Sequence, residues 1–204
     1  MAGSLLRSLH VVAEDLSDAG VKWALVGGLA VAVHGEPRFT RDIDVVVGVD
    51  DEGAADRVVY FLRGRGYSVR SLLEHRPTGR LAAVRMVRVA KESSGPGILV
   101  DFLFAQSGIE GEIAAQAEQV EVVPGLTLPV ARASHLAAMK AVAFEPDTRP
   151  QDFADLRAIL AQCGADEVEQ AFLAVQLIHD RGFNRGKDLV AVLQMAIDAG
   201  RPGL

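Results

Sequence analysis

The chain has 204 residues, half of them hydrophobic, with 5% aromatics and a formal net charge of −6. That length and apolar content suffice for the core of one large or two small domains. The acidic balance argues against a protein that coats nucleic acid non-specifically, and the lone Cys163 excludes an internal disulfide.

Residues 1–16 carry Arg7, His10, Glu14 and Asp15 among their apolar positions. This reads as an amphipathic helix and not a signal peptide, whose centre is uninterrupted. No apolar run approaches the roughly 20 residues that span a bilayer. The expectation is a soluble, cytoplasmic protein with no membrane contact.

Leu5, Leu6, Leu9, Val12 and Leu16 recur at helical spacing until Gly20. A strand is expected over 21–26, a short helix over 28–34, and a strand over 43–47 so continuously apolar that it reads as central. A helix over 54–62 and an extended segment from Tyr67 to Arg70 follow. Residues 71–79 read as a loop or one helical turn. The runs 81–90 and 98–104 read as an antiparallel pair joined by the turn KESSGPG. A helix over 109–117 and short extended pieces around Pro124-Gly125 complete this half. After Pro129 four helical segments follow, over 134–144, 151–163, 166–180 and 187–199. The predicted class is α+β: a mixed sheet flanked by helices (1–128), then a helical region (129–204).

The stretch ALVGGLAVAVHGEPRFTRDIDVVV, residues 24–47, concentrates the chemistry. On a strand, positions two apart face the same way, so Asp42 and Asp44 aim two carboxylates into one space with Ile43 behind them. Adjacent carboxylates repel unless a proton or cation lies between them, and a hard divalent cation suits all-oxygen donors. Gly27 and Gly28, opening a helix, offer backbone N–H groups and a positive dipole end to phosphate. A third carboxylate, Asp101, stands in the apolar run ILVDFLF, where an unpaired charge is costly. It has two readings: a third metal ligand, if its strand neighbours that of Asp44, or the partner of Arg85 or Arg88 on the facing strand. Each piece alone is common. Together, in the order strand, GG, short helix, D-x-D strand and lone buried Asp, they are much more specific.

Arg63, Arg65, Arg70, Arg76, Arg80, Arg85, Arg88 and Lys91 are offset only by Glu74 within their stretch. This is either a phosphate-facing surface or a solvated edge with an arginine-rich loop. His34 and His135 read as packed or capping histidines, Cys163 reads as core, and no cluster has zinc-ligand spacing.

The layout resembles the minimal nucleotidyltransferase fold of the DNA polymerase β-like superfamily. The form Gly27-Gly28-Leu29-Ala30 with Arg38-Phe39-Thr40-Arg41-Asp42-Ile43-Asp44 is most similar to AbiEii-type nucleotidyltransferases. The later SHLAAMK (134–140) and PQDFADL (150–156) also fit that family. The resemblance covers about residues 20–160 and leaves the last two helices unassigned. It implies that Asp42, Asp44 and Asp101 hold Mg²⁺ or Mn²⁺, that Asp101 also accepts the acceptor's proton, and that Gly27, Gly28 and Lys140 bind the triphosphate. Thr40 and Arg41 would touch phosphate or acceptor, as would Arg38 unless it is only a solvated loop residue. Asp152 and Asp155 either orient Lys140 or Arg149, or form a solvated helix start behind Pro150. The usual glycine-serine pair is glycine-glycine here, which removes a hydroxyl but keeps the backbone donors.

The resulting expectation is a metal-dependent nucleotidyltransferase moving NMP from an NTP to a hydroxyl, on a tRNA 3′ end reached through the 63–91 basic stretch or on a protein. It would serve as the toxin of a toxin–antitoxin system, with an antitoxin as partner. The alternatives are a catalytically silent nucleotide- or partner-binding module of the same fold and a small-molecule (antibiotic) nucleotidyltransferase.

Overall fold

The computed structural model describes residues 2–35, 40, 42–51, 53–75, 79–88 and 97–200. Helix α1 (Ala2–Asp18) leads to strand β1 (Trp23–Val26), helix α2 (Gly27–His34), strand β2 (Ile43–Val47) and helix α3 (Ala54–Gly64). Strands β3 (Tyr67–His75), β4 (Arg80–Arg88) and β5 (Ile98–Leu103) follow, then helix α4 (Glu110–Ala115) and the hairpin of β6 (Glu118–Val123) and β7 (Leu126–Val130). Helices α5 (Ala133–Ala143), α6 (Pro150–Leu160), α7 (Ala165–Asp180) and α8 (Leu189–Gly200) end the chain.

The strands form one mixed sheet in the order β3-β4-β5-β2-β1-β7-β6. β2 pairs antiparallel with β1 and parallel with β5, and β1 pairs parallel with β7. The apolar run at 43–47 therefore occupies the middle of the sheet, as its lack of alternation implies. Ile43, Val45, Val46 and Val47 are fully buried, each stabilising the fold by roughly 1.5–3 kcal/mol relative to exposure. The core continues from this sheet into the helices through Leu136, Ala137, Leu156, Ile159, Val175 and Leu193. α2 is the link, contacting β1 and β2 on one side and α5 and α6 on the other.

One expectation fails. Residues 71–75 are not a loop: β3 runs on to His75 as an edge strand. The alternation that marks a strand is missing because its pairing with β4 shifts register twice, between Val69 and Ser71 and between Leu73 and Glu74. Leu72 and Leu73 are both exposed there. The expected 91–97 turn lies almost wholly outside the described residues.

α1 covers the β3–β4 end of the sheet. Its buried Asp15 accepts a 2.9 Å hydrogen bond from the Tyr67 hydroxyl and pairs with Arg88 at 3.3 Å and Arg65 at 3.7 Å. Arg65 also pairs with Asp18. Two arginines of the basic stretch are thus committed to α1. Cys163 packs against the core, and burial pushes its thiol up to about 11. Among the described residues no helix is long and apolar enough to cross a membrane.

Candidate active site

The register of three strands builds the site. Val26, at the end of β1, lies opposite Asp44, and Asp44 lies opposite Asp101 on β5. The chain leaves β1 straight into α2, with Val26 at the N-cap and no capping side chain. The N–H of Gly28 instead acts on the Asp44 carboxylate and favours its charged form. Gly27 has φ +62°, and a Cβ at this position would overlap the Asp44 carboxylate. Only glycine meets both demands, so this glycine is dictated by how closely the helix start approaches the acidic strand.

Asp42, Asp44 and Asp101 line a cavity of about 650 Å³ between this sheet edge and the helices. Burial, then Asp101, then Asp42 raise the Asp44 carboxyl to about 6, against the partial relief of Lys140 and the Gly28 N–H. Among the described residues, the three carboxylates therefore compete for too little positive charge. Asp101 has a cation of its own. Arg85, opposite it on β4, donates Nε–H to Oδ1 at 2.7 Å and Nη2–H to Oδ2 at 2.6 Å. Arg85, not Arg88, takes the role that the sequence left open between them, and it holds Asp101 in place at the cavity wall.

The helices supply the opposite wall. Lys140 on α5 is buried, with its ammonium 2.7 Å from Asp152 and 2.8 Å from Asp155 on α6. Asp152 also pairs with Arg149 at 2.6 Å. The three-residue spacing puts both aspartates on the face of α6 that meets α5. They are buried anchors for Lys140 and not a solvated helix start.

Of the residues singled out in the sequence, Gly27, Gly28, Asp42, Asp44, Asp101, Lys140 and Asp152 all line this cavity. Thr40 is not among its lining residues, and its hydroxyl donates to the Asp42 carbonyl at 3.3 Å. Arg38 and Arg41 lie outside the described residues. His34 is structural: its Nε2 lies 2.8 Å from the Ala131 carbonyl, tying α2 to the end of β7. His135 is buried on α5, where desolvation and Arg132 hold its pKa below the ordinary value.

Other lining residues escaped the sequence reading. Ser71 and Leu73 come from the stretch misread as a loop, and Gln106 and Ser107 from the loop after β5. That loop is shaped by Glu110, whose Oε1 accepts from the backbone N–H of Gln106 and Ser107 and from the Ser107 hydroxyl. Arg185 comes from the connection between α7 and α8. Its only local signal is an arginine beside the glycine of a turn.

The donor set suits a hard divalent cation, because all three candidates are carboxylates and their mutual repulsion already raises Asp44. Among the described residues no closed cluster of three ligands is formed, since both oxygens of Asp101 face Arg85.

No curated protein sequence matches this chain. Solved structures share its fold. An antigenic nucleotidyltransferase-like protein from Paracoccidioides brasiliensis aligns with a TM-score of 0.58 at 17% identity, over 94% of this chain and 93% of that one. The antibiotic-resistance factor ANT(2'')-Ia aligns in its solution structure with a TM-score of 0.56 at 16% identity, over 98% and 100% of the two chains. Its crystal structure with adenylyl-2''-tobramycin gives 0.52 at 16% identity, over 89% and 99%. The model of the nucleotidyl transferase AbiEii toxin family, of type IV toxin–antitoxin systems, matches residues 11–199. The chain therefore belongs to the AbiEii family of nucleotidyl-transfer enzymes.

Proposed function

We propose that the protein transfers NMP from an NTP to an acceptor hydroxyl with release of pyrophosphate, using Mg²⁺ or Mn²⁺, and that it acts as the toxin of a toxin–antitoxin pair with an antitoxin as partner. The observation that carries this reading is the register of Val26, Asp44 and Asp101, which sets a glycine-opened helix start against the D-x-D pair and a third carboxylate. Asp42 and Asp44 hold the metal. When bound, it neutralises phosphate charge and acidifies the attacking hydroxyl. Gly27 and Gly28 present backbone N–H groups to phosphate. Asp101 completes the metal site and receives the acceptor's proton once Arg85 yields an oxygen. Lys140 faces the leaving group, its ammonium held in place by Asp152 and Asp155.

The acceptor hydroxyl approaches over the β3–β4–β5 face, where Ser71, Leu73, Ala83 and Leu103 line the cavity beyond Asp101. Among the described basic residues of the 63–91 stretch, only Arg85 lines the cavity, and Asp101 occupies it. A tRNA acceptor thus has to be gripped outside the cavity, for example by the exposed Arg63 and Arg70. The same observation favours a second reading, in which the acceptor is a compact hydroxyl compound.

The test is to incubate the protein with each α-labelled NTP, Mg²⁺ and, separately, total RNA, cell protein or hydroxylated small molecules. Label transfer that Asp42→Ala and Asp44→Ala abolish is expected. Absence of label on every acceptor class would favour a silent binding module. Binding of an RNA acceptor should weaken steeply with salt, and salt-insensitive binding counts against RNA.

A further inference from the structure

The charges on the helical wall of the cavity balance: Lys140 and Arg149 face Asp152 and Asp155. Across the cavity, Arg85 is matched by Asp101. One lining cation has no such match. Arg185 donates only to neutral oxygens, the Gln106 side chain at 2.9 Å and the Gln106 carbonyl at 3.4 Å, and has no carboxylate at ion-pair distance among the described residues. The nearest acids are spoken for: Glu110 by the 106–107 backbone and Glu145 by Lys187 at 2.7 Å. Its charged neighbour is a second guanidinium, Arg149, and desolvation, followed by that like charge, lowers the Arg185 pKa.

Arg185 is also held in an unfavourable conformation. Its φ is +55°, the one left-handed value among the described non-glycine residues, where a Cβ is penalised. Such outliers persist only when the surroundings over-determine them, and they cluster at functional sites. Here the anchors are plain. Phe183 stacks on His75 with ring centroids 4.2 Å apart, and Gly108, at φ +74°, leaves room for that ring, which a Cβ would overlap. Arg181 pairs with Glu112 at 2.6 Å, and the Lys187 ammonium caps the end of α5 at the carbonyls of Val142 and Phe144. The loop between α7 and α8 is therefore pinned on both sides of Arg185, to the sheet and to α5, while the residue itself stays exposed at the cavity.

We propose that Arg185 is the phosphate-binding cation of this cavity, presented by the pinned α7–α8 loop to a phosphate group of the substrate. This rests on the nucleotidyl-transfer reading for the identity of the ligand, and it gives the last two helices a part in the site. An uncompensated, pre-positioned guanidinium beside Arg149 matches the bidentate geometry and charge of phosphate oxygens. Lys140, saturated by two carboxylates, adds little net charge of its own. The phosphate is either the polyphosphate of the nucleotide or the backbone phosphate next to an acceptor hydroxyl.

The full-length chain, titrated with Mg²⁺–tripolyphosphate and, separately, with a short single-stranded RNA, tests this by calorimetry. Arg185→Gln should weaken one ligand about tenfold, and Arg185→Lys, which keeps the charge but not the bidentate fork, should recover only part of that loss. Gln106→Ala, which removes the tether but keeps the cation, should cost less. Weakening confined to tripolyphosphate assigns the nucleotide as the source; weakening confined to RNA assigns the acceptor. Unchanged affinity for both in a folded Arg185→Gln protein overturns the proposal. The readout needs no turnover, so failure here with transfer still abolished by Asp44→Ala leaves the enzymatic reading standing. The reverse result separates the two as well.

Discussion

The two walls of the cavity solve the problem of partly buried charge in opposite ways. On the helical wall, Lys140 meets Asp152 and Asp155 within 2.8 Å, Arg149 completes the set, and the cluster is neutral before any ligand arrives. On the sheet wall, Asp42 and Asp101 crowd Asp44, the only ion pair among the described residues is that of Arg85 with Asp101, and Asp44 is left at about 6. The helical wall is a finished piece of structure. On the proposed function, a divalent cation completes the sheet wall. Stability is thus concentrated on one side and functional strain on the other, and substitutions should reveal the contrast by their sign.

The largest effect is expected at Lys140. Lys140→Met takes the shared ammonium away from two buried carboxylates, and should destabilise the protein by about 3–5 kcal/mol in denaturant unfolding. A loss near zero would show that the helical wall does not depend on its own ion pairs. Asp44 should respond in the opposite direction. Its folded pKa of about 6 lies above the ordinary 3.8. Stability from this group is therefore complete below pH 3.8 and is lost as pH rises through 6. Asp44→Asn should abolish transfer yet raise stability at neutral pH by up to about 3 kcal/mol, an upper limit because the carboxyl keeps some solvent contact. That gain should vanish in unfolding curves recorded below pH 4; a gain independent of pH would mean that charge is not its source.

The smallest stability change is expected at Arg85, whose side chain is 45% exposed. Arg85→Met should shift the unfolding midpoint by about 1 kcal/mol or less. It also frees Asp101 and removes a competing positive charge, so a Mn²⁺ titration should show roughly three- to tenfold tighter binding. Unchanged Mn²⁺ affinity would separate Asp101 from the metal site.

Much of this was legible along the chain because it is local. The central strand shows as an unbroken apolar run, the D-x-D pair follows from the two-residue repeat of a strand, and α2 is bracketed by Gly27-Gly28 and Gly35. The edge strand β3 was not legible past Arg70, since two register shifts and two exposed leucines erase its alternation. Partnerships were harder still. Asp101 permitted Arg85 or Arg88, and only the register of β4 against β5 selects Arg85, while Arg88 turns to Asp15 on the other face.

The sequence by itself determined the class of fold, the candidate carboxylates and the glycine-opened helix, because short-range spacing dictates which side chains share a strand face or a helix start. Tertiary structure alone decided which charges cancel. It saturated Lys140, tied Asp101 to Arg85, drew Arg65 and Arg88 of the apparent basic stretch to α1, and left Arg185 uncompensated at the cavity. Ion pairing depends on distances of a few ångströms between segments as far apart in the chain as Asp15 and Arg88, and no local pattern encodes that.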